Sequence, residues 1–187
     1  LCSINHSVFE VTGIYDSSFD ELKEEWINGF QLRGNLTDIP GKVEIVLAIG
    51  DNYKRAGMFS EFSDRILKKN IIHFDSIIED FCELGSSNQI LARTFINAYT
   101  TIGDNNIINT GAIIEHEAAI GSHNHISVAA KVCGRTRIGS YCFIGAGSTI
   151  IDNIDICDNV IIGVGSTVVK SINESGTYVG CPVKRIK

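Results

Sequence analysis

Every sixth residue from Ile72 to Val168 is isoleucine, leucine or valine, through Ile90, Ile108, Ile126, Ile144 and Ile162 without a break. A period of six fits neither an amphipathic helix nor an alternating hairpin. It fits a β-solenoid, in which short strands turn a corner at each hexad and stack on the coil below. Four residues after the anchors the choices are small or compact, as at Thr94, Ala112, Ala130, Ser148 and Ser166, and glycine often follows the anchor directly, as at Gly103, Gly121 and Gly139. A second spacing sets the coil length. Asn88, Asn106 and Asn124 lie eighteen apart, as do Ala112, Ala130, Ser148 and Ser166. Three hexads per coil place each set in one column, with rungs about 4.8 Å apart. Stacked asparagines can then bond along their column, which makes buried amides tolerable. Residues 72–170 therefore read as a triangular prism of about five to six coils.

The preceding segment has another pattern. Residues 9–16, "FEVTGIYD", and 43–51, "VEIVLAIGD", read as strands that end in Asp after an apolar run. Residues 53–69 have helical spacing at Met58, Phe62, Ile66 and Leu67, and 17–26 read as a weaker helix. Alternating strand and helix predicts a small parallel α/β domain over 1–70, with a ligand site at its strand ends, ahead of a β-helical domain over 71–187. That first domain is incomplete, having no G-x-G-x-x-G turn. Asp16 and Asp51 stand where strand-end carboxylates meet a base or ribose, and equally where an ordinary helix cap stands.

The net charge of −6 argues against non-specific nucleic-acid binding, which needs a basic face. A nucleotide can still be held by backbone N–H groups. No apolar run approaches a membrane span and no signal peptide is visible, so a cytoplasmic protein without membrane contact is expected. The six cysteines form no C-x-x-C pair and read as reduced thiols.

Three of the five histidines fall within 109–134. His116 lies two residues after the anchor Ile114, so its side chain need not fill the prism. Residue 134, one coil later, stacks on it at about 4.8 Å and is glycine. A base beside a bare amide is the minimum equipment for acyl transfer, one group taking a proton and the other facing a developing oxyanion. An imidazole of pKa about 6.5 suits that work. The plainer reading is a surface histidine at a solenoid corner. His125, half a coil further, falls on another side of the prism, on the order of 15 Å away. His116, His123 and His125 have no zinc-like spacing, so no metal is expected, and His73 and His6 read as structural or solvated.

The stretches "IEHEAAIGSHNHISVAAKVCG" (114–134) and "GTYVGCPVKRIK" (176–187), with "IYDSS" (14–18) and "AIGDN" (48–52), carry a resemblance from about Phe9 to the C-terminus. The chain resembles the hexapeptide-repeat sugar acyltransferases, in particular the bacterial nucleotide-sugar N-acetyltransferases of bacillosamine, perosamine and viosamine type. The sialic acid O-acetyltransferases are near relatives. The resemblance implies a left-handed parallel β-helix preceded by a Rossmann-like domain, where general crossover rules would favour the right hand. It also implies a homotrimer with acetyl-CoA as co-substrate and a nucleotide sugar as acceptor, serving surface glycan or lipopolysaccharide synthesis. By the same resemblance His116 is the general base and Glu117 raises its basicity. His125 contacts acetyl-CoA, as do main-chain groups at Gly134, Ala146 and Val164, while Asp16, Ser17 and Gly50 lie on the sugar side.

The expected reaction is acetyl transfer to the amine of a nucleotide-linked 4-amino-4,6-dideoxy sugar. The alternatives are O-acetylation of sialic acid or another sugar hydroxyl, and a non-catalytic trimeric binding module. In a trimer of parallel prisms His116 of one chain can face His125 of the next, which predicts three active sites between subunits. Glu117 polarises His116 or is simply solvated, because adjacent strand residues point to opposite faces; Asn109 and Glu115 are alternative partners. Lys184, Arg185 and Lys187 meet the coenzyme phosphates or form a frayed tail.

Overall fold

A computed structural model describes residues 10–20, 26–27 and 29–187. From Ile71 onward each hexad gives a strand of two residues, and the strands stack into three parallel sheets. The first sheet carries Ile71–Ile72, Gln89–Ile90, Ile107–Ile108, His125–Ile126, Phe143–Ile144 and Val160–Ile162. The second carries Ile113–Ile114 and Lys131–Val132, and the third Ala119–Ile120 and Arg137–Ile138, with their stacked equivalents. Pairing is in register at one coil, Ile108 on Ile126 and Ile126 on Ile144.

Every anchor from Ile90 to Val168 is buried, and together they form the main core. Each such isoleucine contributes about 1.5–3 kcal/mol relative to an exposed one. Ile72 is 39 % exposed, because it stands on the first coil, where no described rung covers its lower side. The asparagine column is a hydrogen-bonded ladder. Asn88 Oδ1 accepts from Asn106 N–H (2.8 Å) and Nδ2 (3.0 Å), and Asn106 Oδ1 accepts from Asn124 N–H (2.7 Å). Asn70 extends it downward and Cys142 N–H ends it. The glycines after the anchors answer to crowding: a Cβ on Gly121 would lie 2.8 Å from the Gly139 backbone of the next coil.

The prism edges turn through left-handed residues. One edge stacks Tyr99, Glu117, Arg135 and Asn153, and another Asn105, His123, Tyr141 and Asn159, all with φ between 54° and 62°. At the top of the prism, residues Gly176–Gly180 join the first sheet and return antiparallel through Val183–Arg185. Tyr178 and Val183 pack on the core, and Arg185 pairs with Glu174 at 2.6 Å. The basic tail is thus a hairpin and not a frayed end.

Ahead of the prism, Ile14–Tyr15 pairs parallel with Phe30–Gly34, which pairs antiparallel with Trp26–Ile27. Much of the expected 17–26 helix lies outside the described residues; Ser17 and Ser18 form a turn and Trp26 is in a strand. Among the described residues one α-helix, α1, spans Asn52–Glu61. Two sequence expectations need correction here. Residues 43–51 form no laddered strand, only a bridge between Ile45 and Ile66. The helix stops before Phe62 rather than running to 69, because Ile45 takes the Arg65 carbonyl and the Leu67 N–H (2.8 and 3.0 Å). That pairing buries Ile66 and Leu67, which would otherwise lie on a helix.

Helix α1 is fastened to the prism edge that carries His123. Asn52 Nδ2 donates to Cys142 O (2.9 Å), Tyr53 OH donates to Asn159 Oδ1 (2.7 Å), and the Tyr53 ring stacks on Tyr141. Among the described residues no helix is long and apolar enough to cross a membrane.

Candidate active site

The strand Ile113–Ile114 ends at the edge between the second and third sheets, and there the chain turns through His116 and Glu117. Strand alternation would have sent the two side chains apart. Glu117 is not in a strand. Its left-handed φ of 58° folds its carboxylate back, so that Oε2 lies 3.0 Å from His116 Nδ1. Oε2 also faces Arg135 Nη1 at 3.5 Å, one rung up, and Arg135 Nε donates to Asn153 Oδ1. The imidazole is therefore held at Nδ1, with Nε2 left for chemistry. Neither alternative partner reaches it: Glu115 accepts from Asn97 Nδ2 (2.7 Å) and Asn109 faces His125.

On the next coil Gly134 lies against the ring. A Cβ there would stand 2.8 Å from both Cε1 and Nε2 of His116. Gly134 has no left-handed φ, so glycine answers here to space rather than to torsion. Its carbonyl accepts from Asn153 N–H (3.1 Å), and its own N–H has no acceptor among the described residues. An imidazole nitrogen and an unengaged amide thus sit side by side on a half-exposed edge, an arrangement able to remove a proton and stabilise an oxyanion. Burial raises the thiol pKa of Cys133, the neighbouring residue. Below this pair on the same edge the exposed rings of Tyr99 and Phe81 stack at 5.1 Å.

His125 lies elsewhere, on the first sheet with its ring edge against Phe143. Asn109 Oδ1 accepts from Thr110 N–H (2.8 Å), which turns the amide nitrogen toward His125 Nε2 (3.0 Å). Nε2 is then an acceptor, the proton resides on Nδ1, and Nδ1 donates to Gly50 O at 3.2 Å. Burial lowers the pKa, in keeping with a neutral ring. Ala146 and Val164 stack on a third place, the edge between the first and second sheets, with Val164 77 % exposed.

Asp16 accepts from the N–H and Oγ of Ser18 (2.8 and 2.6 Å), which lowers its pKa. No hydrogen bond joins Asp16 or Ser17 to Gly50 among the described residues. Asp51 caps α1 by accepting from Lys54 N–H (2.8 Å). His123 is a packing residue on its edge. It stacks on Tyr141, meets Asn105 Nδ2 at 2.9 Å, and burial lowers its pKa. His73 accepts from Asp75 N–H. No three metal-ligand side chains lie together among the described residues.

The structure thus unites His116, Glu117 and Gly134 on one edge and sets the Gly50 loop against His125 on the first sheet, and it keeps the two groups apart within a chain. Sequence reasoning missed Asn109 as the partner of His125, and missed Arg55, which is fully buried beside Gly50. The available signal for Arg55 was its place on the face of α1 that carries Met58 and Phe59 and leads to Phe62 at its C-terminal end.

The family model "Bacterial transferase hexapeptide (six repeats)" matches residues 135–170. A search of curated protein sequences gave no match. Among solved structures, the acetyltransferase domain of PglB from Neisseria gonorrhoeae is 25 % identical, with 89 % of this chain and 84 % of that one covered and a TM-score of 0.83. PerB from Caulobacter crescentus, solved with CoA and GDP-perosamine, is 29 % identical over 86 % of this chain and 81 % of that one, at a TM-score of 0.82. WeeI from Acinetobacter baumannii, 18 % identical over 93 % of this chain and 85 % of that one at a TM-score of 0.62, shares the fold. PglB and PerB are of the left-handed β-helix type, and a coil of opposite hand would not superpose on them over such lengths. By repeat and fold the chain is a left-handed β-helix of hexapeptide repeats, and its similarity to these acetyltransferases supports an acyltransferase.

Proposed function

We propose that this chain transfers acetyl from acetyl-CoA to the 4-amino group of a nucleotide-linked 4-amino-4,6-dideoxy sugar, as a cytoplasmic step in surface glycan synthesis. The observation that carries the reading is the His116 ring lying across Gly134, with Glu117 on its far nitrogen. PerB in complex with CoA and GDP-perosamine supports the choice of donor and acceptor. So does the complex of a histidine-to-alanine variant of the GDP-perosamine N-acetyltransferase, 28 % identical over 85 % of this chain.

The neutral sugar amine attacks the thioester carbonyl. His116 Nε2 takes the proton from the attacking nitrogen, and the Gly134 N–H faces the oxygen that becomes negative. The imidazolium then returns its proton to the departing thiolate, leaving the amide and CoA. Glu117 holds Nδ1 and stabilises the imidazolium, and proton removal of this kind contributes about 10²–10⁴ in rate. His125, Ala146 and Val164 lie on other sides of the prism from His116, so one chain does not surround one substrate. A trimer sets the His116 edge of one chain against the first sheet of its neighbour, and the acceptor is held by Gly50 with Asp16 and Ser17. This supports a site between subunits.

The test is acetyl transfer followed by mass spectrometry, with acetyl-CoA and nucleotide-linked 4-amino sugars in parallel with free and activated sialic acid. A gain of one acetyl mass on the amino sugars, abolished in His116→Ala while CoA binding survives, is the expected result. Transfer to sialic acid alone would replace N- by O-acetylation. No transfer to any acceptor would leave a non-catalytic module.

A further inference from the structure

Arg55 is a buried cation with no carboxylate in contact among the described residues, Asp51 acting on it only through space, and the mechanism above gives it no task. Its Nε donates to Asn105 O (3.1 Å). Its Nη1 donates to Ile49 O (3.0 Å) and Gly50 O (3.4 Å). Its Nη2 donates to Asn52 Oδ1 (2.8 Å), His123 O (3.1 Å) and Asn124 O (3.0 Å). A buried charge is costly, and an aliphatic residue would suffice to pack α1 on the prism. What only the planar fork provides is a simultaneous grip on two successive prism corners and on the loop before α1. The grip continues one step further. Gly50 O also accepts from His125 Nδ1, whose ring is held from its other side by Asn109.

We propose that Arg55 is a positioning residue: by pinning the Ile49 and Gly50 carbonyls it fixes the orientation of His125, so that the acceptor-side loop and the donor-side wall of one chain are set together. This rests on the reading that His125 borders the coenzyme. Arg55 touches no substrate, and its effect passes through Gly50.

The test measures CoA affinity by calorimetry on the full chain, alongside the His125 tautomer by nitrogen-15 NMR. Arg55→Lys keeps the charge but loses the fork, and His125→Phe removes the bond to Gly50. Each weakens CoA binding about tenfold, and the double variant is no weaker than the worse single one, because both break the same link. A residue that only held the fold would lower the melting temperature without this lack of additivity. Equal CoA affinity in Arg55→Lys and the parent, or losses that multiply in the double variant, would overturn the proposal. The tautomer is read on the unmodified chain, so it does not depend on whether the lysine variant folds. A proton on Nδ1 is expected, and one on Nε2 would overturn the orientation set by Gly50. If the parent chain does not bind CoA, the proposed function fails, while the tautomer still decides whether Gly50 orients His125.

Discussion

Replacing Gly134 by alanine separates a catalytic constraint from a structural one. The new Cβ would lie 2.8 Å from Nε2 and Cε1 of His116, against ordinary van der Waals contact at about 3.5 Å. The half-exposed imidazole is free to swing outward, so it relieves the clash by moving about 0.7 Å or more away from the Gly134 amide. A misplacement of that size costs about 10² in rate, and the complete loss of general-base help about 10⁴ at most. Gly134→Ala is therefore expected to lower kcat by about 10²-fold, equivalent to about 2.7 kcal/mol of barrier. Its φ suits alanine, so stability should hold or rise by about 0.4–1 kcal/mol. Gly121→Ala gives the opposite pattern. Its Cβ meets the rigid backbone of Gly139, so stability falls by about 1–3 kcal/mol while kcat per folded molecule stays at the parent value. Steady-state kinetics with thermal melts on both variants decides the matter. A Gly134→Ala protein that keeps kcat within a factor of two would refute the placement of chemistry at this edge.

Glu117→Gln leaves His116 without its charged partner. Both side chains are about half exposed and solvent screens the pair, so kcat should fall by only about threefold to tenfold, with KM for acetyl-CoA unchanged. Asn106→Leu removes one rung of the amide ladder and leaves the Asn124 N–H without its buried acceptor, while Asn88 Oδ1 keeps only the main-chain N–H of residue 106. Urea unfolding should show a loss of about 1–3 kcal/mol. His123 and His125 both titrate below 6.5 in the fold because of burial. As the pH falls through about 6.5 the unfolded chain takes up protons before the native one, so stability declines on acidification from that point. Melting temperatures at pH 7.5 and 5.5 should differ less in His125→Phe than in the parent. The acceptor amine must be neutral to attack, so kcat/KM for a 4-amino sugar should rise toward alkaline pH, and a flat profile would count against amine acylation.

The prism was legible because its demands recur. An anchor such as Ile126 meets Ile108 and Ile144, each eighteen residues away, and the same requirement returns at every rung. Gly134 was legible for the same reason, since the eighteen-residue step that stacks isoleucines also places it on His116. The His116–Glu117 contact was hidden by treating Glu117 as a strand residue. The six-residue period holds the correction: residue 117 is three places past its anchor, where the chain turns, and Asn153 and Gly147 at equivalent turn positions show the left-handed preference openly. Ahead of the prism there was no repeat to lean on, and helical spacing carried past Phe62 to Ile66 because the competing partner, Ile45, lies twenty-one residues away in the sequence.

Arg55 marks the other limit. Its position on the apolar face of α1 is visible in the sequence as a charge beside Met58 and Phe59. The reason for the charge is not visible, because five of its six acceptors are backbone carbonyls, which every residue type supplies alike. Side-chain patterns identify which surfaces are buried, whereas a cation that recognises main chain is specified by where the corners at Asn105 and His123 and the turn at Gly50 come to rest. In this chain that places the unread part of the sequence at the junction between α1 and the prism, where Arg55 and His125 share the Gly50 carbonyl.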